Sequence, residues 1–497
     1  MQQVLNFING RFVAAGAGAG SGAGTKWIDD VDPATGKVHA QVASSDKTDV
    51  QAAVDAAKAA FPTWSKTPAI ERSRILVKTA ELLEKNLERF ALAESEDAGK
   101  PITATRTIDI PRSAANIRHF GTLVPHLSSE WYDSDGGGVP GGVPSINYTM
   151  RRARGVAGII SPWNYPLHLL TWKISPALAV GSTVVAKPSE VTPRTASMLC
   201  ELLQEAGLPA GVFNVVHGLG TEAGGSLVTH PDVPTVSFTG STKVGQWIAQ
   251  NAGAMLKRVS LELGGKNPFI VFDDADINKA LDISARAAFS NQGQICLCGS
   301  RALVHESKFA QFVEGLTQRA KAIRVGDPLD AETQMGPLVS KVQFDKVSSM
   351  VEEARRLGGK FHCGGSPVAS KDLSERCKGG YFYQATVITG LDPACNVEQE
   401  EIFGPVVTVQ SFRDEAHAIA LANGTKYGLS ASLFTQDLSR AHRVAAAIDS
   451  GVVWVNGWNI RDMRTPFGGM KQSGVGREGG LDAMRFFTEP KNVCVAL

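Results

Sequence analysis

The sequence lacks long uninterrupted apolar runs and any excess of charge of one sign. No apolar stretch approaches the ~20 residues that a membrane-spanning helix requires, so we expect no transmembrane segment. Fifty Lys and Arg stand against forty-nine Asp and Glu. The resulting net charge of +1 provides no field to hold a nucleic acid or an anionic bilayer. We therefore expect neither nucleic acid nor a membrane as a partner.

The sequence also lacks a targeting leader and a regular spacing of metal ligands. The N-terminal segment MQQVLNFINGRF has no basic start followed by an apolar stretch, which predicts a cytoplasmic location. The seven cysteines are scattered, and the chain contains no Cys-x-x-Cys or His-x-x-His pair. This pattern predicts free thiols and no metal site.

What the chain does contain is enough apolar sequence for two or three domains. It has 497 residues, of which 43% are hydrophobic. From residue 155, short β-branched runs such as GVAGII, STVVAK and TVSFTG alternate with helix-like segments, and this alternation predicts a parallel sheet covered on both faces. A second series of the same kind begins at NPFIVFDDAD. We therefore expect two α/β domains, with ligands bound at the carboxyl ends of the strands.

Two segments contain side chains suited to covalent catalysis. FSNQGQICLCGSR places Cys296 on a loop, where a thiol can act as a nucleophile. LELGGKNP places Glu262 at the end of a predicted strand, where a carboxylate can act as a base. Each residue alone also has a structural interpretation, because buried cysteine is common in protein cores and a glutamate can simply form an ion pair.

Seven motifs together make the chain resemble the aldehyde dehydrogenase superfamily over nearly its whole length. They are PWNYP, KPSEVTP, FTGSTKVG, LELGGKNP, NQGQICLCGSR, EEIFGPV and PFGGMKQSGVGRE. The resemblance implies a Rossmann-like NAD-binding domain over residues 1–132 and 154–263 and a second α/β catalytic domain over 264–467. It also implies a small β oligomerisation ribbon over 133–153 and 484–497, and hence a homodimer or homotetramer.

The resemblance implies roles for three catalytic residues. Cys296 attacks an aldehyde as a thiolate, and the Asn164 amide holds the resulting oxyanion together with the Cys296 backbone N–H. Glu262 activates the water that hydrolyses the thioester. Asn164 has an alternative interpretation as an ordinary turn residue beside Pro166, since asparagine favours turns.

The resemblance also implies NAD as the cofactor, with NADP disfavoured. Lys187 and Glu190 match the family's adenosine-ribose contacts, and Ser189 lies near where a 2′-phosphate would bind. An acidic residue accepts hydrogen bonds from ribose hydroxyls and repels a phosphate, so Glu190 favours NAD. Trp163 is a further implied cofactor contact.

Five other residues match cofactor-binding positions of the family. Gly240, Ser241 and Gly245 match the loop that opens the helix under the pyrophosphate, although Gly-Ser-Thr before a helix is also simply an N-cap. Glu401 matches the carboxylate on the nicotinamide-side ribose, and Phe403 matches the aromatic residue beside the ring. The structural alternatives are a solvated glutamate and a core phenylalanine.

Two arginines indicate the class of aldehyde. TRTIDIPRSAANIRHF with Arg112 and WNIRDMRTPFGG with Arg464 resemble the subgroup that oxidises 2-aminomuconic and 2-hydroxymuconic semialdehydes, in which two arginines hold the substrate carboxylate. A guanidinium donates two parallel hydrogen bonds to a carboxylate. Arg112 can alternatively pair with Asp109 on a helix surface. Arg461 and Arg118 lie nearby but do not match the subgroup's anchor position.

The sequence therefore predicts NAD-dependent oxidation of a small carboxylate-bearing semialdehyde to a dicarboxylic acid. Two alternatives stay open: a broad-specificity or betaine-type aldehyde dehydrogenase, and a catalytically silent structural or binding protein with the same fold. Cys298 is either a packed thiol or a partner for a reversible disulfide with Cys296.

Overall fold

The computed structural model describes residues 2–16, 26–138 and 140–497. These residues form one sheet of eight strands, one of seven, two of three and one of two. None of the helices in the described part of the chain is both long and apolar enough to cross a bilayer.

The strands are named in chain order. They are β1 Gln2–Val4, β2 Asn6–Ile8, β3 Arg11–Val13, β4 Trp27–Asp32, β5 Lys37–Ala43, β6 Trp131–Ser134, β7 Ser145–Ala153, β8 Val156–Ile160, β9 Thr183–Lys187, β10 Phe213–Val215, β11 Thr235–Thr239, β12 Arg258–Glu262, β13 Pro268–Val271, β14 Arg301–His305, β15 Lys360–Cys363, β16 Thr386–Thr389, β17 Val406–Phe412, β18 Tyr427–Gly428, β19 Ser430–Phe434, β20 Val452–Val455, β21 Met470–Lys471, β22 Gly474–Val475 and β23 Thr488–Ala496.

The α-helices are named in the same way. They are α1 Lys47–Trp64, α2 Ala69–Lys85, α3 Leu87–Ala98, α4 Ile102–Ala104, α5 Ile110–Leu123, α6 Pro166–Ala179, α7 Arg194–Glu205, α8 Gly225–Thr229, α9 Thr242–Ala254, α10 Ile277–Phe289, α11 Phe309–Lys321, α12 Lys341–Arg356, α13 Asn396–Gln399, α14 Glu415–Asn423, α15 Leu438–Ala447 and α16 Gly480–Phe486.

The eight-stranded sheet contains a parallel core in the order β10-β9-β8-β11-β12. Numbered along the chain from β8, this order is 3-2-1-4-5, the order of a dinucleotide-binding sheet. The strand order reverses between β8 and β11, so a crevice opens there at the carboxyl ends of the strands. All five residues of β9 are buried, as expected for a strand covered on both faces.

The seven-stranded sheet has the order β15-β16-β17-β14-β13-β19-β20. All of its pairings are parallel except β15 with β16. The prediction of two α/β domains is therefore confirmed. One detail was not predicted: β22, which follows the second domain in the chain, returns to pair with β12 at the edge of the first sheet.

A separate antiparallel sheet has the order β23-β7-β6. Its strands lie in or beside the segments predicted as an oligomerisation ribbon. β6 begins at Trp131, slightly before the predicted limit, while α16 occupies the first residues of the predicted C-terminal part. Trp131, Tyr132 and Val495 of this sheet are exposed.

Candidate active site

Cys296 follows a backbone turn that only a few residue types adopt. Asn291, Gln292 and Gly293 have φ values of 51°, 56° and 70°, three consecutive residues in the left-handed region. A Cβ atom on Gly293 would clash with the carbonyl oxygen of Gly404, so glycine is required there. The turn that precedes the nucleophile is therefore held in a strained conformation, which is common at functional sites.

Amide side chains fix this turn. The Asn291 Nδ2 donates to the Asn164 carbonyl at 3.1 Å. The Gln292 Nε2 donates to the carbonyl oxygens of Gly99 at 3.0 Å and Pro337 at 2.7 Å. These hydrogen bonds join the loop to three other segments and offset the backbone strain.

Asn164 follows β8 at the point where the strand order reverses. Its side-chain Nδ2 donates to the carbonyl of Gln294, two residues before Cys296, at 2.9 Å. Asn164 and Cys296 line the same cavity, which has a volume of about 290 Å³. The structure therefore brings the predicted oxyanion donor and the predicted nucleophile together.

A buried ion pair that the sequence analysis missed supports Asn164 from behind. Lys100 pairs with Asp109, and the two side chains are 2% and 1% exposed. The Lys100 Nζ also donates to the Asn164 carbonyl at 3.4 Å and lies 3.7 Å from the centroid of the Tyr165 ring. Asp109 is thus occupied by Lys100, and the alternative pairing of Asp109 with Arg112 is excluded.

Glu262 ends β12 and lies in buried surroundings. Its Oε1 has no hydrogen-bond partner among the described residues. Burial raises the pKa of Glu262 well above its usual value, the Glu478 carboxylate raises it further, and the charges of Lys173 and Arg461 oppose the rise. Glu478 itself pairs with Lys173 at 2.5 Å. A carboxyl group with a raised pKa near a nucleophile suits general-base work.

The Cys296 thiol is protonated in the resting site. Burial raises its pKa to about 12, with further contributions from the carboxylates of Glu401 and Glu262, while the Arg461 charge lowers the pKa. Cys298 is a packed thiol whose Sγ donates to the Gly293 carbonyl at 3.3 Å. None of the seven cysteines, all of which lie in the described ranges, forms a disulfide.

The cavity that contains Cys296 also contains most of the predicted cofactor residues. Trp163, Gly240, Ser241, Glu401 and Phe403 line it. The rings of Trp163 and Phe403 meet edge to face, with centroids 5.2 Å apart. This arrangement forms an aromatic wall beside the thiol.

Glu401 faces the backbone of the glycines behind Glu262. Its Oε1 accepts a hydrogen bond from the Gly265 N–H at 3.0 Å, and burial raises its pKa to about 7. Gln343 and Lys346 on α12 also line the cavity, and the sequence analysis missed both. Gln343 donates to the Phe403 carbonyl at 2.6 Å. The sequence of α12 has an ordinary amphipathic pattern, which does not indicate that its side chains line a ligand cavity.

A second cavity, of about 660 Å³, adjoins the predicted adenosine contacts. Glu190, Lys243 and Trp247 are among its lining residues. Lys187 Nζ pairs with Glu190 at 2.7 Å. Because Ser241 lines the first cavity and Lys243 the second, the N-terminus of α9 lies between them. Backbone N–H groups at such a terminus favour an anion.

Three predicted cofactor residues, Lys187, Ser189 and Gly245, line neither cavity. The Ser189 Oγ accepts from the Val191 N–H at 3.4 Å and so stabilises a turn. Gly245 faces Leu263, and a Cβ atom at position 245 would clash with that side chain. Gly245 therefore allows close packing between α9 and the segment after β12.

The polar groups along the two cavities fit a dinucleotide. The hydroxyl of Thr239, at the end of β11, is buried and has no hydrogen-bond partner in the described part of the chain, although Thr239 lines the first cavity. An orphaned hydroxyl beside a helix N-terminus indicates a polar ligand at this point.

The structure places Arg464, the predicted substrate anchor, at the protein surface. Its side chain is 80% exposed, and its Nη2 lies 2.6 Å from Asp462 Oδ2. The Arg464 guanidinium lowers the pKa of Asp462, as expected for an exposed ion pair. Arg464 therefore points to solvent, away from the thiol.

Arg461, which does not match the subgroup's anchor position, lies between two aromatic rings instead of at the surface. Its Cζ lies 3.9 Å from the centroid of the Phe467 ring and 4.5 Å from that of Trp172. Burial lowers the pKa of Arg461 to about 10, the nearby Arg112 charge lowers it further, and the carboxylates of Glu478 and Glu262 oppose the shift.

Arg112, in the first turn of α5, faces the same ring from another side. Its Cζ lies 5.8 Å from the centroid of Trp172. The Nη2 atoms of Arg112 and Arg461 are both buried without a hydrogen-bond partner in the described ranges. Neither arginine forms an ion pair within those ranges. The structure thus brings two guanidinium groups without an ion-pair partner together around Trp172, and the charge of one of them, Arg461, acts on Cys296.

One charged cluster elsewhere was also missed. Asp30, His39 and Asp97 have side-chain atoms within 4.8 Å of one another, a spacing that a metal ion could use. The His39 Nε2 lies 3.3 Å from Asp30 and 3.6 Å from Asp97, and Arg194 lies 3.3 Å from Asp97. His39 and Arg194 thus face these carboxylates directly.

Comparisons with known proteins agree with this site. The sequence pattern of the aldehyde dehydrogenase family matches residues 20–493. A 2-aminomuconic semialdehyde dehydrogenase of Danio rerio is 47% identical over 490 residues, covering 99% of this chain and 97% of that protein. A 2-hydroxymuconic semialdehyde dehydrogenase of Pseudomonas sp. strain CF600 is 44% identical over 500 residues, covering all of both chains.

Solved structures give the same result for the fold. Crystal structures of PnpE from Pseudomonas sp. WBC-3, one of them in complex with nicotinamide adenine dinucleotide, have a TM-score of 0.94 and 43% identity to this chain. They cover 100% of this chain and 98% of that chain. The predicted fold and family resemblance are confirmed, and the chain belongs to the aldehyde dehydrogenase family.

Proposed function

We propose that this protein oxidises a carboxylate-bearing semialdehyde to a dicarboxylic acid with NAD, and that its substrate is of the 2-aminomuconic or 2-hydroxymuconic type. The observation that supports this most strongly is the pair of guanidinium groups, Arg112 and Arg461, which meet around Trp172 without an ion-pair partner, Arg461 being close enough to lower the pKa of the Cys296 thiol. The names of the relatives support the same substrate class.

The reaction begins when the Cys296 thiol gives its proton to the Glu262 carboxylate, which passes it to solvent, and the thiolate Sγ attacks the aldehyde carbon to form a thiohemiacetal oxyanion. The side-chain nitrogen of Asn164 has two hydrogens, and the bond to Gln294 uses one. The other hydrogen stabilises the oxyanion together with the backbone N–H of Cys296. Each such donor typically contributes about 3 kcal/mol to transition-state stability.

Glu262 then acts as the base. Loss of hydride from the thiohemiacetal leaves a thioester on Cys296. Glu262 takes a proton from a water molecule, whose oxygen attacks the thioester carbon. The carboxylic acid leaves and the thiol is restored. The raised pKa of Glu262 makes its carboxylate a stronger base once it is ionised.

NAD supplies the hydride acceptor when it is bound. The residues that would hold it are Trp163, Glu401 and Phe403 around the first cavity and Glu190 at the second. The N-terminus of α9 at Ser241 would meet the pyrophosphate. Glu190 favours NAD over NADP, because its carboxylate accepts hydrogen bonds from ribose hydroxyls and repels a 2′-phosphate.

Arg112 and Arg461 would hold the substrate carboxylate. Two cations near each other and without a counter-ion cost free energy that a bound carboxylate offsets. Each guanidinium offers a fork of N–H donors that matches a carboxylate. The same two cations disfavour a betaine-type substrate, which has a positive charge.

The experiment compares kcat/KM for four aldehydes at a fixed NAD concentration, with NADH formation as the measured signal. The aldehydes are 2-hydroxymuconic semialdehyde, succinic semialdehyde, benzaldehyde and betaine aldehyde. We expect the muconic semialdehyde to rank first and betaine aldehyde last. A first rank for betaine aldehyde or benzaldehyde would contradict the assignment. Absence of NADH formation with every aldehyde, by protein that binds NAD, would favour a catalytically silent protein.

The β23-β7-β6 sheet is the proposed interface of a homodimer or homotetramer. β23 and β6 are both edge strands, and Trp131, Tyr132 and Val495 are exposed on them. Unpaired edges with exposed apolar side chains favour pairing with another chain. Sedimentation velocity of the wild type and of Trp131→Glu tests this, with a smaller species expected for the variant. A cytoplasmic location stays a prediction of the sequence.

A further inference from the structure

His168 lies in the first turn of α6, four residues after Asn164. Its ring faces the Tyr165 ring edge to face, with centroids 5.4 Å apart. Trp172, one helical turn further along α6, is the ring that Arg112 and Arg461 share. Residues four apart project from the same face of a helix. His168 therefore belongs to the group of side chains that surrounds the two arginines.

Both ring nitrogens of His168 are buried, and neither has a hydrogen-bond partner among the residues that the structure describes. A buried imidazole normally satisfies at least one of its nitrogens, because burial without a partner costs free energy. The backbone carbonyl of His168 is satisfied by Asn116 Nδ2 at 3.1 Å, so the orphaned atoms are those of the side chain alone.

The surroundings keep this imidazole uncharged. Burial lowers the pKa of His168 well below its usual value, and the charges of Arg112, Arg461 and Lys100 lower it further. A neutral imidazole presents one N–H donor and one acceptor nitrogen. Such a ring suits a neutral polar group that both donates and accepts hydrogen bonds. A carboxylate only accepts, so it could bind the N–H of the ring but not its acceptor nitrogen.

We propose that the ring nitrogens of His168 bind the polar substituent, a hydroxyl or an amino group, on the carbon next to the substrate carboxylate. This proposal rests on the function proposed above, in which Arg112 and Arg461 hold that carboxylate. His168 is then a specificity-determining residue that distinguishes 2-substituted semialdehydes from unsubstituted ones.

The test compares two substrates that share the aldehyde and the carboxylate. They are 2-hydroxymuconic semialdehyde and 6-oxohexanoate, which lacks the hydroxyl and the two carbon–carbon double bonds, so each variant is compared with the wild type on the same substrate. In His168→Phe, which keeps an aromatic ring without nitrogens, we expect kcat/KM for the hydroxylated substrate to fall about tenfold, the effect of one lost hydrogen bond. The value for 6-oxohexanoate should stay within about twofold of the wild type. In His168→Asn, which restores a donor and an acceptor, most of the loss should be recovered.

Equal losses on both substrates, or no loss on either, would overturn the proposal while leaving the carboxylate-binding function intact. If the wild type oxidises neither substrate, the proposed function and this inference fail together. A measurement that needs no variant is the inhibition of the wild type by adipate and 2-hydroxyadipate. We expect the hydroxylated diacid to inhibit about tenfold more strongly, and equal inhibition would contradict the role of His168.

Discussion

Buried cations occur in this protein in two different settings. Lys100 and Lys173 are almost fully buried, and each is paired with a carboxylate, Asp109 and Glu478 respectively. Arg112 and Arg461 also bury guanidinium nitrogens, yet within the described residues neither has an anionic partner. Lys100 and Lys173 are thus compensated by a buried carboxylate, whereas Arg112 and Arg461 form no ion pair among the described residues.

The difference separates charges that maintain the fold from charges that await a ligand. Removing one member of a buried pair leaves the other charge alone and is strongly destabilising. A buried cation without a counter-charge already destabilises the free protein. Its removal therefore relieves that destabilisation and weakens only ligand binding. Replacing a cation with an apolar residue should therefore lower stability at a paired lysine, and should lower substrate binding but not stability at an unpaired arginine.

The largest expected effect is on stability at Lys100. We expect Lys100→Met to lower the free energy of unfolding by about 3 to 5 kcal/mol, because Asp109 would remain buried without a counter-charge. Urea unfolding measures this change. The double variant Lys100→Met/Asp109→Leu is the control and should regain most of the loss. If Lys100→Met were as stable as the wild type, paired and unpaired buried cations would not differ in their contribution to stability.

A second prediction concerns Arg461, where activity rather than stability should change. We expect Arg461→Met to lower kcat/KM for a carboxylate-bearing semialdehyde about 100-fold, the effect of about 3 kcal/mol of lost charged contact. The unfolding midpoint should not decrease, since Trp172 and Phe467 still have an apolar side chain between them. A large loss of stability with activity retained would show that Arg461 maintains the fold and does not bind the substrate.

The pH dependence of the thiol gives a smaller effect. Because burial raises the pKa of Cys296 to about 12, the thiol is protonated at neutral pH and its thiolate fraction rises with pH. Alkylation of Cys296 by iodoacetamide in the free protein should therefore accelerate as the pH is raised. The Arg461 charge lowers this pKa, so Arg461→Met should move the acceleration to higher pH. Mass spectrometry of the Cys296 peptide follows the reaction, and a shift to lower pH would contradict the proximity of the two groups.

The smallest effect is expected at Arg464, the matched control for Arg461. Its exposed pair with Asp462 is screened by water, so Arg464→Met should change kcat/KM by no more than about twofold. The same assays with the same substrates compare the two variants directly. A loss at Arg464 as large as that at Arg461 would mean that the exposed arginine turns inward during catalysis.

The sequence predicted the sheets and the residues at their strand ends. The βα alternation indicated parallel strands, and Asn164, Lys187, Gly240 and Glu262 all lie at or just beyond carboxyl ends of strands in one sheet. Parallel strands bring such positions to one edge. The alternation predicted that edge as the ligand site, while the family resemblance identified Asn164, Lys187 and Gly240 there.

Orientation within irregular segments could not be predicted in this way. Arg461 and Arg464 flank Asp462 in a loop after β20, where no periodicity indicates which side chain turns inward. Asp462 pairs with Arg464 at the surface, while Trp172 and Phe467 pack around Arg461. These tertiary contacts determine which arginine turns inward. Long-range partners such as Lys100 were missed because they depend on which segments the fold brings together.

The role of the two arginines is tested most directly by a pair of aldehydes that differ only in one terminal group. These are 6-oxohexanoate, which ends in a carboxylate, and hexanal, which ends in a methyl group. For the wild type we predict a higher kcat/KM with 6-oxohexanoate, and for Arg112→Met/Arg461→Met a loss of that preference with hexanal oxidation retained. A double variant that keeps the wild-type preference would contradict the account.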